Sequence, residues 1–151
     1  MVYVVTRKGG TTMFILSLVS VCLLSLISII HVYWAFGGGW GAGAVIPMKE
    51  GSQQAVFSPR RWGTLSVAML VLTASVLILV QGGYITAIPA STYSKVGCII
   101  CAFVFSIRAI GDFKYVGFFK TIKHSQFAKH DTKLYSPLCL FLGFVYIMLL
   151  L

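Results

Sequence analysis

The chain has 151 residues, enough for one domain; it is 58% hydrophobic and only 10% charged, with a mean hydropathy of +0.93. A water-soluble domain of this size could not cover so much apolar surface, so an integral membrane protein is expected. Twelve Lys and Arg stand against three acids, for a net charge of +9, but these cations lie almost entirely between apolar segments. There they set topology and touch anionic headgroups, and no nucleic-acid partner is expected.

Residues 1–12 carry Arg7 and Lys8 ahead of the first apolar segment. Met13 is an alternative start, which would make these twelve residues dispensable. The first segment, about 13–36, is apolar except for small hydroxyls and His31. At 1.5 Å per residue it reaches roughly 36 Å, enough to span a bilayer with some tilt. Ala42-Gly43-Ala44 resembles a signal-peptidase site, yet the apolar run exceeds a signal-peptide core, so retention is expected. A Gly-rich polar loop follows, then a second span at about 62–82, a short turn with Pro89, and a third span at about 93–112. A basic loop, 113–133, leads to a fourth span at about 134–151. Four spans with short links predict an all-α, antiparallel four-helix bundle.

The two long loops share one side and carry Lys49, Arg60, Arg61, Lys114, Lys120, Lys123, Lys129 and Lys133; the other side carries Arg7, Lys8 and Lys95. The positive-inside rule places the long loops in the cytoplasm and both termini outside a plasma (inner) membrane. Arg7 and Lys8 argue the other way for the first helix alone.

Arg108 lies thirteen residues after Lys95, roughly 20 Å along a helix, which puts it in the hydrocarbon or just under its edge. Intramembrane charges are costly and face a bundle interior or a wet cavity. Asp112 is spaced i,i+4 from Arg108 and is a candidate partner. Asp131 is the other; its plain reading is an N-cap of the fourth helix, and it could instead pair with Arg108 or a loop lysine. A snorkelling Arg108 neutralised by a carboxylate is as good a reading as a functional site. His31 is expected near the same membrane edge, as a proton donor or acceptor or as a hydrogen-bonded packing residue. Trp34, Trp40, Tyr33 and Trp62 read as interfacial belt residues. The glycines from Gly37 to Gly43 allow a tight helix exit or an anion-binding nest, and match neither dinucleotide nor P-loop spacing. Arg60 and Arg61 read as a cytoplasmic stop with headgroup contact, and Arg61 can also hold a phosphate or carboxylate with its planar fork.

Cys98-Ile-Ile-Cys101 is a C-x-x-C on a helix, read either as a thiol redox pair or as small buried packing residues. All four cysteines, with Cys22 and Cys139, fall in apolar segments, so a secreted disulfide framework is not expected. No metal site and no Ser/His/Asp triad has the required spacing, and no cofactor is expected.

The stretches HVYWAFGGGWGAGAVIP, RAIGDFKYVGFFK and FAKHDTKLYSPLCL, at residues 31–47, 108–120 and 127–140, resemble the recurrent blocks of a small bacterial membrane family, domain of unknown function 3995. Matching positions include His31, Trp34, Trp40, Arg108, Gly111, Asp112, Gly117, Asp131, Ser136 and Pro137. The resemblance covers most of the chain from the first span onward and implies a four-helix membrane protein. It implies no activity or cofactor.

The topology brings His31, Trp40, Arg61, Arg108, Asp112, Tyr115 and Asp131 to one end of the bundle. The first reading is a polar site at the cytoplasmic membrane edge for an anionic or amphiphilic small molecule or a lipid headgroup. Trp40, Arg61, Arg108, Tyr115 and Asp131 would bind it. His31 and Asp112 would handle protons if there is catalysis, with His31 within reach of the Arg108 cluster. A second reading is a structural or accessory subunit in which the Arg–Asp pair only holds the fold. A third is thiol–disulfide chemistry at Cys98 and Cys101. Oligomeric state is not legible.

Overall fold

The computed structural model describes residues 10–41, 45–46, 59–122 and 125–151. Its four long helices are α1 (Thr11–Ala35), α2 (Arg61–Gln81), α3 (Thr92–Ile110) and α4 (Gln126–Leu150), each long and apolar enough to cross a membrane. They pack antiparallel. α1 lies along α2 and α3 along α4, while α2 joins the two pairs through narrower contacts.

The α1 face turned inward follows helical spacing: Ser17, Ser20, Leu24 and Ser28 are buried. Small residues let two helix backbones approach closely where lipid supplies no hydrophobic drive between helices. Ser28 Oγ donates to the Ala68 carbonyl at 2.9 Å, fixing the α1–α2 register. At the opposite end, Tyr84 OH reaches Ser17 Oγ at 3.2 Å. α4 is tied to α2 by Tyr146 OH, which donates to the Ala74 carbonyl at 2.6 Å. Leu24, Ile78, Leu142, Val145, Tyr146 and Leu149 form the apolar centre. Large apolar side chains on the outer faces, including Leu26, Leu70, Phe103 and Phe144, are more than half exposed, as lipid-facing residues are.

Two helix ends differ from the sequence expectation. α3 stops at Ile110, because Gly111 takes φ +90° and donates its amide to the Ile107 carbonyl at 2.7 Å. Asp112 is therefore outside the helix, and the i,i+4 geometry with Arg108 does not exist. α4 starts at Gln126, well before residue 134. Its cap is Ser125, whose Oγ accepts from the Ala128 amide at 3.0 Å, so Asp131 is not the N-cap. The helix widens into a π turn over Asp131–Tyr135 before Ser136–Leu150 continues as α-helix. Pro137 gives the reason: it has no amide to donate, and its ring would collide with the Lys133 carbonyl in a regular α-helix.

Candidate functional site

By the antiparallel order, the end of α1, the start of α2, the end of α3 and the start of α4 meet at one end of the molecule. Within it, the residues singled out from the sequence fall into two separate loci.

The first locus is ionic. Asp131 is completely buried in the π turn. Its Oδ1 accepts from Arg108 Nη2 at 2.9 Å, and its Oδ2 from Lys120 Nζ at 2.9 Å and the Gly117 amide at 2.7 Å. Lys120, only 2% exposed, spends its other donors on the Gly117 carbonyl at 3.0 Å and Thr132 Oγ1 at 2.6 Å. A buried ammonium with three donors and three acceptors is fully satisfied. Arg108 thus pairs with Asp131, not with Asp112. Its side chain stays one-third exposed, and its Nη1 is buried with no hydrogen-bond partner among the described residues. Two cations on one carboxylate leave the cluster with one net positive charge.

A loop lysine is an expected alternative partner for Asp131, but the sequence marks Lys120 only as a topology charge. Its pairing depends on a turn that no periodicity reports. Gly111 and Gly117 both take positive φ and meet backbone to backbone: a Cβ on Gly111 would overlap the Val116 carbonyl, and one on Gly117 the Ile110 carbonyl. Only paired glycines permit this approach, and it swings Lys120 back under Asp131. A doublet of glycines flanking an acid was the available signal.

Asp112 builds the same turn. Its Oδ1 accepts from the amides of Lys114, Tyr115 and Val116 at 3.0, 2.7 and 2.9 Å. Slight burial pushes its carboxyl up, but the Val116, Tyr115 and Lys114 amides outweigh this and hold it below the usual range. This carboxylate organises a loop. Tyr115 joins that loop through its amide, with the Lys114 ammonium 5.4 Å over its ring.

The second locus is a cavity of about 660 Å³ between the end of α1 and the start of α2. His31, Trp34, Gly37, Gly38, Ile46, Arg60, Arg61, Thr64 and Val67 line it; Arg108, Asp112 and Asp131 do not. His31 Nδ1 lies 2.8 Å from the Ile27 carbonyl, an acceptor, so this nitrogen carries a proton. In the neutral ring, Nε2 is then the free acceptor. The ring stands edge-on to Trp34, 5.2 Å between centroids. Trp34 is held by its Nε1, which donates to the Trp40 carbonyl at 2.8 Å. Trp40 thus acts through its backbone, while its side chain is 75% exposed. Arg60, expected like Arg61 to contact headgroups, lines the cavity beside it. No carboxylate does, so the lining is cationic among the described residues.

Cys98 is buried between α3 and α2, its thiol directed at the Leu77 carbonyl at 3.8 Å. Among the described residues no three His, Cys, Asp or Glu side chains gather as metal ligands.

A family model described as "Protein of unknown function (DUF3995)" matches residues 24–146. No curated protein and no solved structure matches the chain.

Proposed function

The chain belongs to the DUF3995 family of proteins of unknown function, and from this premise we propose that this polytopic membrane protein binds the anionic headgroup of an amphiphile in the cavity between α1 and α2. The observation that carries the reading is a cavity of about 660 Å³ lined by Arg60 and Arg61 and, among the described residues, by no carboxylate. That volume falls within the range of small-molecule sites. A guanidinium fork matches the paired oxygens of a phosphate or carboxylate. Trp34, Ile46 and Val67 supply apolar wall for the amphiphile's stem, and the Gly37–Gly38 segment lets a headgroup approach the backbone closely. His31 would accept a hydrogen bond at Nε2, or as a cation add to the anion's field. No catalytic step is proposed for it or for Asp112.

The loops at this end carry most of the chain's Lys and Arg, which supports a cytoplasmic site. A reporter fused after Leu151 should then read as extracytoplasmic; a cytoplasmic signal would reverse the orientation.

The second reading, an Arg–Asp pair that only holds the fold, is favoured for the other locus, where Asp131 and Lys120 are consumed by internal hydrogen bonds. Arg108 Nη1 is buried there with no hydrogen-bond partner among the described residues. The two readings therefore apply to different loci of one molecule. The thiol–disulfide reading has no comparable observation behind it.

The test uses the full chain in nanodiscs of phosphatidylcholine with phosphatidylglycerol, read by native mass spectrometry. Arg60→Gln with Arg61→Gln should weaken retention of phosphatidylglycerol by about tenfold or more. Unchanged retention by a folded double variant would overturn the proposal.

A further inference from the structure

The loop joining α3 to α4 is built to a degree that its role as a connection does not require. Three amides close on Asp112, the Gly111 and Gly117 backbones are in contact, and Phe118 N donates to the Ala109 carbonyl at 3.0 Å. Thr121 N and Ile122 N then donate to the Phe113 and Lys114 carbonyls at 3.1 and 3.0 Å. Asp131 and Lys120 fasten the result to α4 through the Gly117 amide and carbonyl. Such a loop could bury its aromatic side chains. Instead Phe113 is 61% exposed, Phe118 41% and Phe119 66%.

Their placement is specific. Phe113 has φ +62°, a conformation that a bulky residue holds only when its surroundings impose it. Its ring lies 6.3 Å from that of Phe119. The hydrogen bond to Ala109 sets Phe118 beside the last turn of α3. On α3 the exposed Phe103, Ile107 and Ile110, at steps of four and three residues, form an apolar stripe that runs to the end of the helix. That stripe is lipid-facing by its apolar character and helix length, and the loop that carries the three exposed rings begins where it ends. Lys114 is exposed in the same loop, as are Lys129 and Lys133 on the first turns of α4, which the loop is fastened to, and the loop's own acid is tied to three amides.

We infer that the 111–122 loop is a preformed interfacial wedge: Phe113, Phe118 and Phe119 enter the acyl border of the leaflet in which α3 ends, and the surrounding lysines select anionic lipid. Aromatic rings favour this zone of a bilayer, and each nearby cation adds attraction to an anionic leaflet. The rigid turn keeps the rings pointed at lipid at no ordering cost on insertion. This inference is independent of the α1–α2 cavity.

The experiment places p-benzoylphenylalanine at Phe119 in the full chain. It is reconstituted in vesicles of phosphatidylcholine and phosphatidylglycerol at three to one, irradiated, and read by mass spectrometry of the adducts. The same probe at Phe103 reports the established lipid face and confirms the fold. Lipid adducts are expected at both positions. At 119 the ratio of phosphatidylglycerol to phosphatidylcholine adducts should exceed the bulk ratio by about fivefold, the gain of one surface cation. The adduct should persist with Arg60→Gln and Arg61→Gln, which separates the wedge from the cavity. Solvent quenching alone at 119, or adducts to protein alone in native membranes, would overturn the wedge. Adducts in proportion to lipid composition would overturn its selection of anionic lipid.

Discussion

Asp131 holds two cations and a backbone amide while wholly buried. Removing it leaves Lys120 charged with almost no access to water. Breaking one side of a buried ion pair costs about 3–5 kcal/mol, far more than an exposed pair contributes. Asp131→Asn should lower the unfolding free energy in mild detergent by about this amount; a change below about 1 kcal/mol, the scale of an exposed pair, would show that the cluster is not a structural clamp. Asp112 works differently, through three amides on an exposed turn. Its folded-state carboxyl titrates below the ordinary 3.8. Its stabilising effect is therefore present above that value and drains away as pH falls through the folded-state value. Amide exchange at Lys114, Tyr115 and Val116, compared after correction for its intrinsic pH dependence, should lose protection in that window. Asp112→Asn should flatten this pH dependence, and an unchanged profile would contradict the role. At this scale the sequence marked Arg108, Asp112 and Asp131 as costly groups. It could not rank the two acids as partners, because that choice rested on α3 continuing past Gly111.

α4 shows what hydropathy can and cannot report along one element. Its apolar run is obvious from Ser136 onward. The turn before it mixes buried Phe127 and Ala128 with exposed Lys129, His130 and Lys133, so it reads as a basic loop. Pro137 was visible, and its clash with a preceding carbonyl is what the π turn relieves. The π turn in turn places Asp131 inside the helix rather than at its cap. The α3–α4 connection depends equally on backbone geometry. Gly117→Ala would add a methyl against the Ile110 carbonyl and strain a residue at φ +88°. A cost of about 1–3 kcal/mol is expected from the backbone conformation alone. The chemical shifts of Lys120 and Asp131 should move with it. A neutral Gly117→Ala, by thermal unfolding and by these shifts, would contradict the backbone-contact account.

The whole molecule is two antiparallel helix pairs joined through α2, and the four spans were legible from apolar length alone. Topology also gathered His31, Arg61, Arg108, Asp112 and Asp131 at one end. It could not separate them, since helix order does not say which neighbours share a cavity. The pairing of α1 with α2 assigns His31 to Arg60 and Arg61; the pairing of α3 with α4 assigns Arg108 to Asp131 and Lys120. At one locus Asp131 and Lys120 are consumed by internal hydrogen bonds, and the other presents arginines with no acid among the described residues that line it. The most direct measurement of that difference is a solid-state NMR dephasing experiment from lipid phosphorus to the guanidinium carbons of the chain's four arginines, in phosphatidylglycerol bilayers. The account predicts strong dephasing that Arg60→Gln with Arg61→Gln removes and Arg108→Gln leaves in place. Dephasing that survives the double variant and disappears with Arg108→Gln would move the anion to the other locus and contradict the account.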